Sequence, residues 1–274
     1  MTLDVTILGC GSSGGVPRVG QGWGKCNPEN PRNRRRRCSI LVRRGDGDAA
    51  TQILVDTGPD LREQLIAADV RRLDAVLYTH PHADHTHGVD DVRGLVIMNG
   101  RRIPAYMDEP TSRQFTAKFD YIFVTPPGSY YPPLMTEHRL TPGQAVTIDG
   151  PGGPIEALPF RLDHGDMDAL GFRFGNVAYT PDLHAIPPES AQFLEGLDLW
   201  IIDALRWQRH GTHLSVEQAL AFIDLYRPKR AVLTDLHVDL DYDALTAVLP
   251  ANVEAAFDGL RLDGLTATSR RGAE

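Results

Sequence analysis

Cysteine, lysine and long apolar runs are scarce in this sequence. Its 274 residues include cysteine only at Cys10, Cys26 and Cys38, which cannot all pair with one another and lack the close spacing of a cysteine-rich metal site. Such usage is typical of a protein kept in a reducing cytoplasm. No stretch is long and apolar enough to span a membrane, and segment 1–10 lacks the basic flank and apolar run of a signal peptide. We therefore predict a cytoplasmic protein that does not enter a membrane.

Net positive charge is also lacking. The formal charge is −8, whereas binding to nucleic acid by counterion release requires many clustered basic groups that face the phosphates. We therefore do not expect nucleic acid to be the main partner. A local basic patch is nevertheless present, and it consists of Arg32, Arg34, Arg35, Arg36 and Arg37. A solvated basic loop and a patch that attracts phosphate are equally good interpretations of it.

The overall composition is that of a globular protein, with 42% hydrophobic and 23% charged residues. The length allows one large α/β domain or two smaller ones, but no linker-like segment divides the chain, so we predict a single domain over 1–274. Two segments interrupt the regular pattern. Segment 10–38 is a loop rich in glycine and arginine. Segment 111–137 is rich in aromatic residues and proline, and we expect a lid or a subunit interface, such as that of a homodimer, although ordinary packing under a loop fits as well.

Short apolar segments that are typical of buried strands recur along the chain. The candidate strands are 4–8, 39–42, 52–56, 73–79, 155–162, 171–180 with a turn near its middle, 197–203 and 230–234. Helical spacing of apolar residues occurs over 60–67. A second helix is expected after Ser215, which can form a capping box with Gln218, and it should end near Arg227 because Pro228 disfavours helical geometry in the residue before it.

The strongest chemical signal follows the strand 73–79. His80, His82, Asp84 and His85 place four candidate metal ligands within six residues, where a loop after a strand can turn them inward together. Imidazole and carboxylate groups in one site suit zinc, manganese or iron. The segment therefore predicts a site for divalent metal ions.

One such segment cannot complete a site for two metal ions, because each ion needs three or more ligands and an anionic bridge reduces the repulsion between the ions. Further candidates each follow a predicted strand, and they are His164, Asp182 and His237. The predicted grouping is His80, His82 and His164 on one ion, Asp84, His85 and His237 on the other, and Asp182 as the bridge. Zinc or manganese is the expected metal, with iron as an alternative.

Together with Asp56 in the run Leu54-Val55-Asp56-Thr57-Gly58, this ordered set of ligands resembles the metallo-β-lactamase superfamily over nearly the whole chain. The resemblance implies an α+β fold, the αββα sandwich, in which two mixed β-sheets pack face to face with helices outside and metals at one sheet edge. It further implies that Asp56 lies behind the ligands and orients a metal-binding histidine. An aspartate that only stabilises a turn is the alternative.

Other segments resemble a narrower family, the phosphodiesterases of phosphonate breakdown that open phosphoribosyl 1,2-cyclic phosphate. These segments are Gly9 to Pro17, the arginine-rich segment up to Arg37, Asp56 to Arg62, and Leu233 to His237 with the acidic residues Asp239, Asp241 and Asp243. The resemblance implies a dinuclear phosphodiesterase in which a metal-bridging hydroxide attacks a small, cyclic, phosphoribosyl- or nucleotide-like diester. Some relatives carry a further structural zinc on cysteines, but only two cysteines lie in the corresponding segment 20–38, so we expect no such site here.

His213, in the run Thr212-His213-Leu214-Ser215, matches the histidine that this family places near the leaving group. We assign it the role of general acid, since the expelled alkoxide needs a proton that a histidine can supply near neutral pH. With Asp84 and Asp182 it forms the predicted catalytic set. A histidine at a helix entry without a catalytic task is the alternative. Arg206 and His210 are weaker candidates for holding the phosphate of the substrate.

Three other functions fit parts of this pattern. An RNA-processing phosphodiesterase of the tRNA 3′-end type would share the fold, although the net acidity counts against it. A thioester, lactone or β-lactam hydrolase would share the metals, because the same ions polarise carbonyl groups as readily as phosphoryl groups. A metal-stabilised binding module without enzymatic activity is the least favoured, since structural metal sites are usually closed, mononuclear and rich in cysteine.

Overall fold

The computed structural model describes residues 2–266, which form two seven-stranded β-sheets. The strands are β1 Thr2–Gly9, β2 Ser39–Arg44, β3 Thr51–Val55, β4 Ala75–Leu77, β5 Ile103–Met107, β6 Met135–Arg139, β7 Val146–Ile148, β8 Ile155–Asp163, β9 Asp168–Phe174, β10 Val177–Thr180, β11 Leu199–Asp203, β12 Arg230–Thr234, β13 Val253–Ala255 and β14 Arg261–Thr266. The α-helices are α1 Leu61–Ala67, α2 Ala83–Thr86, α3 Arg93–Asn99, α4 Glu109–Phe119, α5 Pro188–Ala191, α6 Val216–Tyr226 and α7 Tyr242–Thr246. Short 3-10 helices lie at Pro31–Asn33, Gly47–Ala49, Val89–Val92, Asp120–Ile122 and Gln192–Leu194.

Both sheets mix parallel and antiparallel strands. The first has the order β14-β1-β2-β3-β4-β5-β6, and the second has the order β13-β12-β11-β10-β9-β8-β7. In the first sheet the pairs from β3 to β6 are parallel and the others are antiparallel. In the second sheet the pairs from β10 to β13 are parallel and the others are antiparallel. The prediction of two mixed sheets is confirmed.

The sheets face each other across one apolar core, and helices cover their outer faces. Between the sheets, Ile40 and Val55 of the first meet Phe172 and Ile201 of the second. Because successive strand residues point to opposite faces and both faces are covered, the strands read as nearly continuous apolar runs. On the outer faces, α1 and α4 pack on the first sheet and α6 packs on the second. This layering is the predicted αββα sandwich.

The two helices expected from the sequence are present. The observed α1 begins one residue later than expected, and Ser215 and Gln218 form the expected capping box at the start of α6. Arg227 ends α6 with a left-handed φ of 50°. Five strands were not predicted, namely β5, β6 and β14 of the first sheet and β7 and β13 of the second. The apolar residues of β5 and β6 alternate with Pro104, Thr136 and other residues that weaken an apolar run, and β7 and β13 have only three residues each.

Segment 111–137 has two different parts. Phe115 of α4 is fully buried and packs on Tyr78, with ring centroids 4.8 Å apart, whereas Tyr130 and Tyr131 are exposed. The first part therefore belongs to the outer core of the first sheet, and a role of the exposed part as lid or interface stays a prediction. Among residues 2–266, no helix combines the length and the apolar character needed to cross a membrane.

Strand direction places several strand ends at one edge of the sandwich. Since β8 and β10 are both antiparallel to β9, they run the same way as β11 and β12, so the carboxyl ends of these four strands lie together. In the first sheet, β3 and β4 are parallel and also end side by side. The backbone of Leu170 in β9 donates to the carbonyl of Thr79, just after β4, at 2.8 Å. The strand ends of both sheets therefore meet at this edge.

Candidate metal centre

A cavity of about 330 Å³ opens at this edge, and its wall contains residues from segments that follow strands of both sheets. His82 and Asp84 come from the segment after β4, His164 follows β8, and Asp182 follows β10. Most of the site residues expected from the sequence are therefore brought into one place.

The first three predicted ligands form one compact group. His80, His82 and His164 each offer a ring nitrogen, and these nitrogens lie within 4.8 Å of one another. The Nε2 atom of His80 is 2.8 Å from Nδ1 of His82. Burial lowers the pKa of His80 well below its usual value, so this imidazole is held neutral, which is the form that binds metals.

Asp182 lies between this group and a second one, which consists of His80, His85 and Asp182 itself. Its Oδ1 is 3.3 Å from Nε2 of His85, and its Oδ2 is 3.8 Å from Nε2 of both His80 and His164. Asp84 approaches the same His85 nitrogen, with 3.4 Å between Oδ2 and Nε2. The carboxylate of Asp182 thus has the central position that a bridging ligand requires.

Asp56 lies behind the ligands and holds His85 in one orientation. Its Oδ2 is 2.7 Å from Nδ1 of His85, while its two oxygens also accept from the backbone N–H and the hydroxyl of Thr79. With Nδ1 engaged by a carboxylate, Nε2 of His85 faces Asp84 and Asp182. Asp56 therefore stands where it would orient a metal-binding histidine.

The run Asp56-Thr57-Gly58 also fixes the backbone of the ligand segment. Thr57 N–H donates to the carbonyl of His85 at 2.8 Å. A Cβ atom on Gly58 would lie 2.2 Å from the carbonyl oxygen of Asp84, which is closer than atoms can approach. Glycine at this position therefore lets the first sheet touch the short helix that carries Asp84 and His85.

The buried carboxylates at the site favour the binding of a cation. Burial alone would lower the pKa of His85, but Asp182, Asp84 and Asp56 hold it well above its usual value. Three buried atoms, Nε2 of His85, Oδ1 of Asp182 and Oδ2 of Asp235, make no hydrogen bond of good geometry within residues 2–266. Buried polar atoms are nearly always paired, and bound divalent ions would give these three atoms partners. The donor set therefore fits a metal centre.

The predicted grouping needs a correction at His237. Its Nε2 is 2.8 Å from Nη1 of Arg18, and its Nδ1 is 3.2 Å from Oδ2 of Asp239. A nitrogen that accepts from a guanidinium is not free to bind an ion, and His237 lies outside the groups of metal-ligating side chains in the described part of the chain. The structure does not bring His237 to Asp84 and His85.

Asp235 is a further acidic residue in the wall of the same cavity. It is the first residue after β12, it is 2% exposed, and its φ is 59°. Burial and the nearby Asp182 raise its pKa well above the usual value. The other strand-end candidates, His164 and Asp182, follow their strands by one or two residues, and Asp235 follows β12 in the same way, two residues before His237.

His213 faces the same ligands from the second sheet. Its Nδ1 is 2.9 Å from Oδ2 of Asp203 and 3.2 Å from Oδ2 of Asp235, and its Nε2 is 3.9 Å from Oδ2 of Asp182. Burial opposes protonation, but Asp203 and Asp235 raise the pKa of His213 to about 10. His213 also groups with His164 and Asp182 as a candidate ligand set, so its role as acid requires a test of metal retention.

Asp203, the last residue of β11, is a site residue that the sequence did not reveal. It is fully buried, and its Oδ2 also accepts from the backbone N–H groups of Leu183 and Leu214. Its signal in the sequence is an aspartate at the end of an apolar strand, which does not distinguish a site residue from the last residue of the strand. The weaker candidates Arg206 and His210 line the cavity, and the ring of His210 lies 5.3 Å from that of His213.

Comparison with known proteins agrees with this architecture. A family model described as a beta-lactamase superfamily domain matches residues 51–235. A solved structure described as a new diphosphatase from the PhnP family is 34% identical, aligns with a TM-score of 0.85, and covers 97% of this chain and 99% of its own. The short form of human tRNase Z aligns with a TM-score of 0.65 at 17% identity over 94% of this chain and 98% of its own, which is a likeness of fold alone.

Two curated relatives match over part of their length. An octanoyltransferase of Porphyromonas gingivalis is 32% identical over 259 residues, which are 93% of this chain and 50% of the relative. A ribonuclease Z of Bradyrhizobium sp. strain ORS 278 is 29% identical over 171 residues, which are 59% of this chain and 50% of the relative. The chain spans about half the length of these relatives. From the family match and the two-sheet fold with its ligands at one edge, we conclude that the chain belongs to the metallo-β-lactamase superfamily.

Proposed function

We propose that this chain is a dinuclear metal-dependent phosphodiesterase that hydrolyses a small phosphodiester of the phosphoribosyl or nucleotide type. The observation that carries the proposal is the orientation of His213. Asp203 holds one ring nitrogen, and the other points toward Asp182 in the middle of the candidate ligands. A proton donor beside a metal centre suits a reaction that expels an alkoxide.

The residues that would hold the two ions come from both sheets. One ion would bind His80, His82 and His164, the other would bind Asp84, His85 and Asp235, and Asp182 would lie between them. Such ions lower the pKa of water and withdraw charge from phosphoryl oxygens. Zinc and manganese both accept this mixture of imidazole and carboxylate, and iron does so too.

The other residues position the substrate and move a proton. Asp203 fixes the ring of His213 so that Nε2 faces the cavity, and His213 gives its proton to the leaving oxygen. Arg206 at the cavity wall adds positive charge where phosphoryl oxygens would lie, and His210 beside it offers a ring nitrogen as a hydrogen-bonding group. This positive lining favours a phosphodiester over a neutral thioester or lactone.

The test is metal analysis followed by a substrate panel. The panel contains cyclic phosphoribosyl and cyclic nucleotide compounds, a linear diester, a monoester, a nucleoside diphosphate and a thioester. We expect about two ions per chain, turnover of at least one diester, loss of turnover with a chelator, and recovery with zinc or manganese. Lack of turnover of every diester by the metal-loaded protein would contradict the proposal.

A second candidate function is the hydrolysis of a diphosphate, and the 34% identity to the PhnP-family diphosphatase favours it. A phosphate leaving group needs less protonation than an alkoxide, so this reaction depends less on a general acid. Turnover of the nucleoside diphosphate but of no diester, with little loss on His213→Ala, would select this candidate.

RNA processing is a third candidate, which the similarity to ribonuclease Z favours. The net charge of −8 and a cavity of about 330 Å³ favour a small molecule instead. Cleavage of a tRNA precursor, measured at two salt concentrations, distinguishes the two, because RNA binding through phosphates weakens steeply with salt.

A further inference from the structure

The cavity beside the arginine-rich segment and the cavity at the metal centre are both lined by arginines, and they differ in how these arginines are engaged. The larger, about 520 Å³, is lined by the arginine-rich segment. There Arg36 pairs with Asp258 at 2.9 Å and Arg37 pairs with Asp60 at 3.0 Å. Of the other two arginines in its wall, Arg34 stacks on Trp23 and Arg35 donates to the carbonyl of His237, so this cavity is a weak candidate for an anion.

The metal-site cavity has arginines without such partners. Arg18 and Arg206 line its wall, and within residues 2–266 neither forms an ion pair with a carboxylate. Arg206 donates from Nε and Nη2 to the carbonyls of Gln208 and Arg209. Positive charge at this wall is therefore available to a ligand.

Arg18 is held in place by His237. Nη1 of Arg18 lies 2.8 Å from Nε2 of His237, whose Nδ1 faces Asp239 at 3.2 Å. The histidine is itself fixed, because its backbone N–H donates to the carbonyl of Leu205 at 2.9 Å and its carbonyl accepts from Nη1 of Arg35 at 3.3 Å. His237, which does not join the metal ligands, thus orients a guanidinium at the cavity wall.

The backbone around Arg18 also favours this orientation of the arginine side chain. Arg18 and Gly22 exchange two backbone hydrogen bonds of 2.8 and 2.7 Å. The arginine side chain crosses Gly14, where a Cβ atom would lie 2.3 Å from Nε and 2.6 Å from Cγ. Only glycine at position 14 leaves room for this path of the side chain.

Ser12 provides an independent sign of a ligand. Its side chain lines the same cavity and is 2% exposed, yet its hydroxyl makes no hydrogen bond within the part of the chain that the structure describes. Buried hydroxyl groups usually have a partner. A ligand oxygen in the cavity would supply one.

We infer that Arg18, oriented by His237 and Asp239, forms with Ser12 and Arg206 a subsite for a second phosphoryl group of the substrate, separate from the one that is cleaved. The inference rests on the proposed function, and it makes Arg18 a specificity-determining residue and His237 a positioning residue. A phosphoryl dianion fits this subsite because guanidinium and hydroxyl groups are strong donors to its oxygens.

The first test compares a nucleoside 2′,3′-cyclic phosphate with and without a 5′-phosphate. We expect Arg18→Ala to reduce kcat/KM about 10- to 100-fold for the phosphorylated substrate, mainly through KM, with little change for the other. Arg18→Lys should recover part of the loss. An equal loss for both substrates, or none for either, would overturn the inference, whereas lack of turnover of both by the unaltered protein would refute the proposed function instead.

The second test moves Arg18 without removing it. Gly14→Ala forces the side chain aside, and His237→Ala removes the nitrogen that holds it, so both should lose selectivity for the phosphorylated substrate as Arg18→Ala does. Arg34→Ala in the larger cavity is the matched control, because Arg34 is exposed and stacks on Trp23. A loss of selectivity in Arg34→Ala alone would contradict the inference and favour the arginine-rich cavity.

A binding measurement completes the test without catalysis. Ribose 5-phosphate is titrated calorimetrically into the metal-loaded protein, with thermal melts to verify that each variant folds. We expect binding that Arg18→Ala weakens about 10-fold or more and that Arg34→Ala leaves unchanged. Equal binding to the unaltered protein and to folded Arg18→Ala would overturn the inference.

Discussion

The metal centre has two halves, one from each sheet. They differ in how their residues are arranged along the chain. His80 to His85 form one short segment, which is fixed from behind by Asp56. The residues of the second sheet, such as His164 and Asp182, follow separate strands and meet only because these strands run in the same direction. The first half is therefore formed within one short segment, whereas the second half is formed by strand ends that the fold brings together.

This difference explains which changes the centre should tolerate. In the first half, each ligand is held by neighbours in its own segment and by the run Asp56-Thr57-Gly58. In the second half, each residue depends on its own strand end, so removing one leaves the others in place. Single substitutions in the second half should therefore affect metal binding, proton transfer or substrate binding one at a time.

The largest effect is expected at Asp182, the residue that joins the two halves. Asp182→Asn removes the charge that lies between both groups of histidines. We expect metal content to fall below two ions per chain and activity to fall to background together, as measured by elemental analysis and diester turnover. Full metal content with normal activity would show that Asp182 does not bridge.

His213 is expected to give the next largest effect, and it should act on the reaction alone. For His213→Ala we expect kcat to fall about 10²- to 10⁴-fold while both ions are retained, because general acid catalysis contributes an effect of this size. A diester with a p-nitrophenolate leaving group should lose much less. His138→Ala is the matched control, since His138 is exposed and stacks on Tyr106. Loss of an ion from His213→Ala would make His213 a ligand.

Substitution of Asp56 tests the half of the centre from the first sheet, and we expect it to reduce metal binding or activity less than the two changes above. Asp56→Asn keeps the shape of the side chain but removes the charge that holds Nδ1 of His85. We expect metal affinity or activity to fall about 10- to 100-fold, which is typical of groups that orient metal ligands. Competition with a metal chelator measures this, with Asp46→Asn as an exposed control. An unchanged affinity would leave Asp56 with a structural role only.

The resemblance to the metallo-β-lactamase superfamily was sufficient to predict the fold, and the segment His80 to His85 was recognisable in the sequence as a group of candidate ligands. Apolar periodicity located many of the buried strands without tertiary contacts. The other half could not be completed, because the direction in which a side chain points depends on where each strand ends. Asp235 and His237 both line the cavity, but Asp235 faces His213 whereas His237 faces Arg18. Asp203 was hidden as the last residue of a buried strand.

The metal content of two variants, Asp235→Ala and His237→Ala, measured beside the unaltered protein, decides which of these residues holds an ion. We expect two ions in the unaltered protein and in His237→Ala, because His237 holds Arg18 instead of a metal. We expect fewer than two in Asp235→Ala. Two ions in Asp235→Ala together with the loss of one from His237→Ala would contradict the assignment of the second half of the centre.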